Sequence, residues 1–475
     1  MPCVKGTCLA YANIQALVGI YNLAEKLTPL SPPLSGGTVI PPLIRGGWEG
    51  LSVGVIGSGY AGMAAAVTLA QRGIPVTVFE SAKQLGGRAR GVIYNETQLD
   101  NGQHLLLGCY HDTLRLIEIV GGNVEKDFLR LPLQLELHRQ FSLKAPRLPA
   151  PLHLLTALLS AHGLSFAQRL SAARFMLTMR LKKFRLAQDF TVAQLLAAHQ
   201  QDDNLILKLW EPLCIAALNT PIHKASGQVL LNVLRDSLTR SRADSDMLLP
   251  RIDFTALFPQ RAASYIEQHD GQVLTSNGVE QIAVHDEFIE LNTAQGASKY
   301  SHVICATPPT VAANLLRPIA ALANTVAAID SLEHQPIYTV YLQYPASVRL
   351  PSPMLGLHQR ISQWLFDKGQ IAGQHGLIAA VISAEGIHQN LSQEELAQKV
   401  IAELREEFGI ADTPQWVKVI AEKRATFCCS PNLARPTQLS PLPRLLLAGD
   451  YTDGDYPATL EGAVISGIKC AELIT

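Results

Sequence analysis

An α/β fold is predicted by three features of the 475-residue chain. An apolar, β-branched stretch, Val53-Gly54-Val55-Ile56, runs into a glycine turn and then an alanine-rich helix. A second such strand follows as Val76-Thr77-Val78-Phe79. A third, Leu445-Leu446-Leu447, comes near the end and again precedes a helical pattern. Strands that are apolar on both faces and alternate with helices suit a parallel sheet covered on both sides. The expected architecture is a Rossmann-like nucleotide-binding domain, a parallel sheet with an attached β-meander, plus a mixed α+β substrate domain.

The first turn is the most informative stretch. Gly57, Gly59 and Gly62 give a G-x-G-x-x-G spacing around Ser58, Tyr60 and Ala61. The first glycine permits the tight turn, the second lets a pyrophosphate approach the backbone, and the third lets helix and strand pack closely. The helix continues through Ala64, Ala65, Ala66, Val67, Leu69 and Ala70 towards a stop at Gly73, and its N-terminal amides and dipole suit phosphates. Glu80 ends the second strand about 20 residues after the turn, where an acid binds a ribose 2′-hydroxyl and disfavours a 2′-phosphate. An ordinary βαβ unit explains each feature singly; all of them in register point to a dinucleotide. The run from Glu80 and Ser81 to Gly86-Gly87-Arg88 resembles flavoproteins of the amine oxidase and phytoene desaturase kind. That resemblance implies FAD as cofactor.

Composition sets limits. Hydrophobic residues make up 48% of the chain and charged ones 17%, which is oily, yet no uninterrupted apolar run approaches the ~20 residues of a membrane span. A net charge of −1 gives no global attraction to nucleic acid. The eight cysteines show no C-x-x-C pair and no zinc-type spacing, so no metal site is expected and the thiols read as free and mostly core in a reducing cytoplasm.

Residues 1–50 read as an irregular N-terminal extension, rich in Pro and Gly from residue 29 onward. Lys5 and Cys8-Leu9-Ala10 are reminiscent of a signal peptide, but Asn13, Gln15 and Asn22 interrupt the apolar segment. Gln103 and His104 follow Leu99-Asp100-Asn101-Gly102 and read either as cofactor or substrate contacts or as a turn that satisfies its own backbone. Residues 148–200 read as helical, with Phe166, Leu170, Ala173, Leu177, Leu181 and Phe184 recurring every three or four positions. That stretch carries Arg169, Arg174, Arg180, Lys182, Lys183 and Arg185 without an acid between Ser165 and Gln188. It is either a solvated helix or a basic amphipathic helix on a membrane surface. Strands are expected at 273–274, 288–291 and 302–306, ended by Pro308-Pro309, and again at 337–342, 376–382 and 416–420, with a charged helix over 394–407. Asp450 stands at the end of the last strand; 451–456 reads as a turn and Pro457 as the first residue of a helix through Thr459 and Leu460.

The middle and end of the chain resemble one branch of the superfamily, the hydroxysqualene dehydroxylases, also called squalene-associated FAD-dependent desaturases. The segments that carry this are 99–108, 210–220, 232–236, 248–253, 257–259, 363–367, 448–452 and 456–464, the two around Trp210 and Trp364 being the most specific. The acidic Asp453-Gly454-Asp455 departs from the pattern. The resemblance implies an FAD-binding domain over 51–130, 240–310 and 425–475, and a substrate domain over 131–239 and 311–424. It implies FAD contacts at Gln103, Val273, Gly449, Asp450, Thr459 and Leu460 as well as in the first two motifs. It also implies reductive loss of an allylic hydroxyl from hydroxysqualene, giving squalene for hopanoid synthesis, with His104 and then Tyr456 as candidate proton donors. The implied partners are a C30 isoprenoid, an external electron donor, since no second G-x-G-x-x-G unit is evident, a bacterial membrane surface and neighbouring enzymes of the same pathway. The implied location is cytoplasmic, at the inner face of the cytoplasmic membrane. Competing readings are a carotenoid or phytoene desaturase, an amine oxidase, and a flavin-bearing scaffold without turnover.

Overall fold

The first and last strands of the described residues lie in one sheet, with His302–Cys305 between them. In the computed structural model, which describes residues 50–475, a five-stranded parallel sheet runs in the order Gln272–Leu274, Val76–Phe79, Val53–Ile56, His302–Cys305, Leu445–Leu447. The extension expected over 1–50 lies outside the described residues, Gly50 apart. Val53, Val55, Val76 and Val78 are buried, as strands covered on both faces must be. One face is covered by helix Tyr60–Gln71, helix Leu460–Glu472 and Phe254, Leu257 and Phe258. The other is covered by the expected meander, strands Val279–Val284, Ile289–Thr293 and Gly296–Tyr300, through Ile282, Ile289, Leu291 and Tyr300. Helices Pro309–Leu316 and Ala323–Asp330 join that second face through Leu316, Val326 and Ile329, with Leu322 from the turn between them. The boundary expected near 311 therefore cuts through this core; Pro308-Pro309 ends a strand as expected but starts a helix that packs back on the same sheet.

A second, seven-stranded sheet has the order Trp416–Phe427, His334–Gln343, Leu377–Ser383, Trp364–Asp367, Met354–Gly356, Gln134–Leu137, Phe141–Lys144. Its pairs are antiparallel except Met354–Gly356 with Gln134–Leu137. Alternation sorts its side chains. Tyr338, Val340 and Leu342 pack with helix Gln393–Phe408, while Tyr341, Trp364, Phe366 and Val381 join the helices of residues 152–238. The helical stretch resolves into Leu152–Ser160, Phe166–Leu181 and Val192–Ala198. Ser165 with Gln168, and Thr191 with Gln194, form reciprocal capping boxes that set two of the starts. Trp210 sits in the middle of this core at 2% exposure, and truncating it to alanine costs about 3–5 kcal/mol.

Candidate active site

The site begins where helix Tyr60–Gln71 meets its strand. A Cβ on Gly62 would lie 1.9 Å from the Gly57 carbonyl oxygen, so only glycine lets the helix approach this closely. Gly467 plays the same part between the two covering helices, where a Cβ would lie 2.1 Å from the Ala61 carbonyl oxygen. At Gly59 a Cβ would meet nothing within 4 Å, which leaves room in front of the helix. The first N–H to bond back is Met63, to Gly59 at 2.9 Å, so those of Tyr60, Ala61 and Gly62 remain as donors for an anion. The Tyr60 side chain itself turns into the core: its hydroxyl donates to the Phe254 carbonyl at 3.1 Å and its ring lies against Phe258. Of Tyr60 only the backbone faces the turn.

Glu80 accepts the Ser58 N–H at 2.9 Å and its hydroxyl at 2.7 Å on one oxygen, and the Ala82 N–H at 2.8 Å with the Ser81 hydroxyl on the other. Two of these donors are fixed backbone; the two hydroxyls are rotors that can yield to ribose. Asn277 donates its N–H to the Glu80 carbonyl at 2.8 Å and carries a buried side-chain oxygen without a protein partner. Val273 pairs with Val78 on the edge strand beside them. The Gly86-Gly87 turn closes over Gly59, with a Gly87 Cβ position 3.3 Å from the Gly59 Cα. Arg88 then reaches across the chain to Asp450 at 2.5 Å and to the Ala425 carbonyl at 2.8 Å, joining the first glycine motifs to the last strand.

The final helix starts later than Pro457. Ala458 has a left-handed φ of 58°, and Thr459 caps the helix by accepting the Gly462 N–H at 3.0 Å. The left-handed residue breaks the helical path, and the hydroxyl cap resumes it. Asp453-Gly454-Asp455 is clasped by arginines: Arg435 donates to the Thr452 carbonyl at 2.5 Å and the Gly454 carbonyl at 2.7 Å, and Arg235 lies 3.4 Å from Asp455. Tyr456 donates to Asp236 at 2.6 Å, a buried carboxylate also held by Arg235 through two hydrogen bonds. Burial and the Asp236 carboxylate push the Tyr456 phenol well up.

Gln103 meets the seven-stranded sheet through its N–H, which donates to the Thr339 hydroxyl at 3.4 Å, and His104 follows it. The Gly102 carbonyl can only accept, so the 2.6 Å contact from His104 Nδ1 places the proton there and leaves Nε2 as an acceptor in the neutral ring. Burial lowers its pKa, and the ring stands 5.1 Å from that of Phe254. Gln103 donates to the His104 carbonyl at 2.9 Å and accepts from the Lys368 ammonium at 3.1 Å. Lys368 is buried, and burial lowers its pKa despite the nearby Asp100 and Asp253. Burial raises the Asp100 carboxyl to about 6, against the pull of Lys368 and the Phe254 N–H. His104 and Tyr456 thus stand in separate hydrogen-bond networks.

The comparisons with known proteins bear on this geometry. The description "Flavin containing amine oxidoreductase" matches residues 60–475. The chain belongs to that family. Its relatives include hydroxysqualene dehydroxylases of Sinorhizobium fredii and Rhodopseudomonas palustris, each 27% identical over 89% of this chain and 98% of the relative. The zeta-carotene desaturase of Synechocystis is 22% identical over 89% of this chain and 97% of its own. Among solved structures, an oxidoreductase from Methanosarcina mazei superposes with a TM-score of 0.70 at 15% identity, covering 89% of this chain and all of that one. The fold class expected from sequence holds, the chain is a flavoenzyme, and its cofactor is FAD.

The open space before Gly59, the three free N–H groups, and the orphaned Asn277 oxygen beside Glu80 fit a dinucleotide. Sequence reading missed Asn277, Asp236, Asp100 and Lys368. The first sits in a Ser276-Asn277-Gly278 turn after a strand, a readable signal. Lys368 follows directly on the segment 363–367 singled out above, and its partner Gln103 lies 265 residues away.

Proposed function

We propose that this chain is an FAD-dependent enzyme that removes the allylic hydroxyl of hydroxysqualene to give squalene, within bacterial hopanoid synthesis. The observation that carries this is near-full-length similarity to hydroxysqualene dehydroxylases, ahead of that to the carotenoid desaturase. In this reading the pyrophosphate sits at Tyr60, Ala61 and Gly62, and the ribose at Glu80, Ser81 and Asn277, with Val273 beside them. The flavin end lies among Gly86, Gly87, Arg88, Gln103, Gly449, Asp450 and the helix start at Thr459 and Leu460. Reduced FAD supplies hydride. The protein must protonate the departing oxygen: the C–O bond breaks, its electron pair leaves with oxygen, and water departs. His104 is the better donor: burial makes its imidazolium a stronger acid, so once Nε2 has taken up a proton it can pass that proton to the leaving oxygen. Tyr456 acts as a positioning residue, since its proton is committed to Asp236.

A chain of about thirty carbons costs on the order of 20 kcal/mol to hold in water at ~0.8 kcal/mol per CH₂. We therefore assign the enzyme to the inner face of the cytoplasmic membrane, served by an external electron donor and adjacent to enzymes of its pathway. Among the described residues no helix is long and apolar enough to cross a membrane, which fits peripheral docking. The test is product analysis. Reduced, FAD-loaded protein given hydroxysqualene should yield squalene; desaturated product from phytoene by the oxidised protein, with no squalene formed, would favour the desaturase reading instead.

A further inference from the structure

The apolar stripe of helix Phe166–Leu181 faces outward. Phe166, Leu170, Leu177 and Leu181 are 71%, 53%, 58% and 76% exposed. At 3.6 residues per turn they fall within an arc of about 60°. The opposite face, Ala172, Phe175, Met176 and Met179, is buried. Helix Leu152–Ser160 repeats the arrangement, with Leu152, Leu155 and Leu159 outside and Leu154, Ala157 and Leu158 inside. Arg169 ties the two together through the Leu159 carbonyl at 3.2 Å and the Leu164 carbonyl at 3.1 Å. Of the fifteen large hydrophobic residues exposed in the described chain, eight lie within 148–181. This is a patch rather than scatter, and such patches mark interaction sites.

Charge identifies the partner. Arg174 and Arg180 flank the stripe, and the exposed Lys182, Lys183 and Arg185 extend it without an intervening acid. An acid, Asp202, accepts from Gln168 only at the N-terminal end of the helix, at 3.0 Å. A two-fold contact with a second copy would set these cations against themselves; anionic headgroups would pair with them. We propose that the outward faces of these two helices dock on an anionic bilayer, the leucines and Phe166 below the headgroups and the cations among the phosphates.

The inner faces of the same helices give the docking a purpose. Leu154, Leu158 and Met176 line an apolar cleft with Leu135, Trp210 and Leu238. Trp210 carries the only polar atom among these six side chains, and it is spent on Gln201 at 2.9 Å. The bilayer face and the cleft are thus two sides of one helical pair, and a hydrocarbon leaving the membrane here enters an apolar wall. This last step rests on the dehydroxylase reading; the docking does not.

The test is flotation of the FAD-loaded chain, without substrate, with vesicles of phosphatidylcholine alone or mixed with phosphatidylglycerol. The protein should float with the mixed vesicles. The bound fraction should fall at least tenfold in the Leu170→Asp/Leu177→Asp double variant, with melting temperature and flavin absorbance unchanged because both positions are more than half exposed. A wild-type protein that stays unbound, or a double variant that floats equally well, overturns the proposal. So does a dimer that the double variant abolishes in the absence of flotation. Turnover of hydroxysqualene in detergent micelles is measured separately: its failure alongside intact flotation rejects the substrate reading and leaves the docking supported.

Discussion

Gly59→Ala separates cofactor binding from folding. Gly59 has φ −68° and ψ 177°, a conformation open to alanine, and an added Cβ meets nothing within 4 Å. The apo-protein should lose only the difference between glycine and alanine at a helix cap, about 0.5–1 kcal/mol, partly offset by a stiffer unfolded chain. The methyl group would instead occupy the space a pyrophosphate needs to reach the first-turn amides. Losing two charge-assisted hydrogen bonds at about 1.5–3 kcal/mol each removes about 3–6 kcal/mol, which weakens FAD binding by roughly 10²–10⁴-fold. Titration of apo-protein with FAD, followed by quenching of flavin fluorescence, measures this, and thermal melting of the apo-protein supplies the control. Gly62→Ala is the contrast. Its Cβ would lie 1.9 Å from the Gly57 carbonyl, so that variant should lose fold and cofactor together. An FAD Kd within threefold of wild type in Gly59→Ala would refute the placement of the phosphates.

His104→Gln should lower turnover by about 10²–10³-fold and abolish the alkaline fall in the pH profile of kcat/KM, a loss of rate as pH rises through an inflection below the ordinary histidine range, as a donor with a lowered pKa requires. Tyr456→Phe and Asp236→Asn should resemble each other, changing KM more than kcat; a far larger kcat loss in Tyr456→Phe would make the phenol the donor. The Asp100 carboxyl stands at about 6 when folded against about 3.9 unfolded. The folded state therefore binds more protons between these values, and the group costs stability as pH rises through the window, on the order of 3 kcal/mol in full. Asp100→Asn should be nearly neutral near pH 4 and increasingly stabilising towards pH 7 in urea denaturation of the apo-protein. Arg88→Met leaves Asp450, only 7% exposed, without its ion pair and should cost about 3 kcal/mol, with weakened FAD retention, read by gel filtration.

The nucleotide half was legible because its information is local. Strand, glycine turn, helix and acid follow one another within thirty residues, each with its own steric reason. The register of Val53–Ile56 between Val76–Phe79 and His302–Cys305 then follows from burial on both faces. The substrate half was legible in its long strands and the periodicity of its helices, but the hairpin Gln134–Leu137 and Phe141–Lys144 was missed because each strand carries only two apolar residues, interrupted by Gln134, Glu136, Ser142 and Lys144. Pro457 misled because proline suits a first helical position, while the left-handed Ala458 beside it leaves no mark in sequence. Lys368 and Asp236 become functional candidates only through partners brought near by tertiary packing. The periodicity predicted a helix correctly over 166–181, and yet Phe166, Leu170, Leu177 and Leu181 of its stripe face outward while Ala173 and Phe184 are buried.

The central claim is the direction of electron flow. The FAD-loaded protein would be photoreduced without oxygen and mixed with hydroxysqualene while the flavin absorbance is followed and the products are analysed. The account predicts return of the oxidised spectrum with one squalene formed per flavin. A flavin that stays reduced with hydroxysqualene, while oxidised enzyme is reduced by squalene or phytoene, would contradict it and make the protein a desaturase.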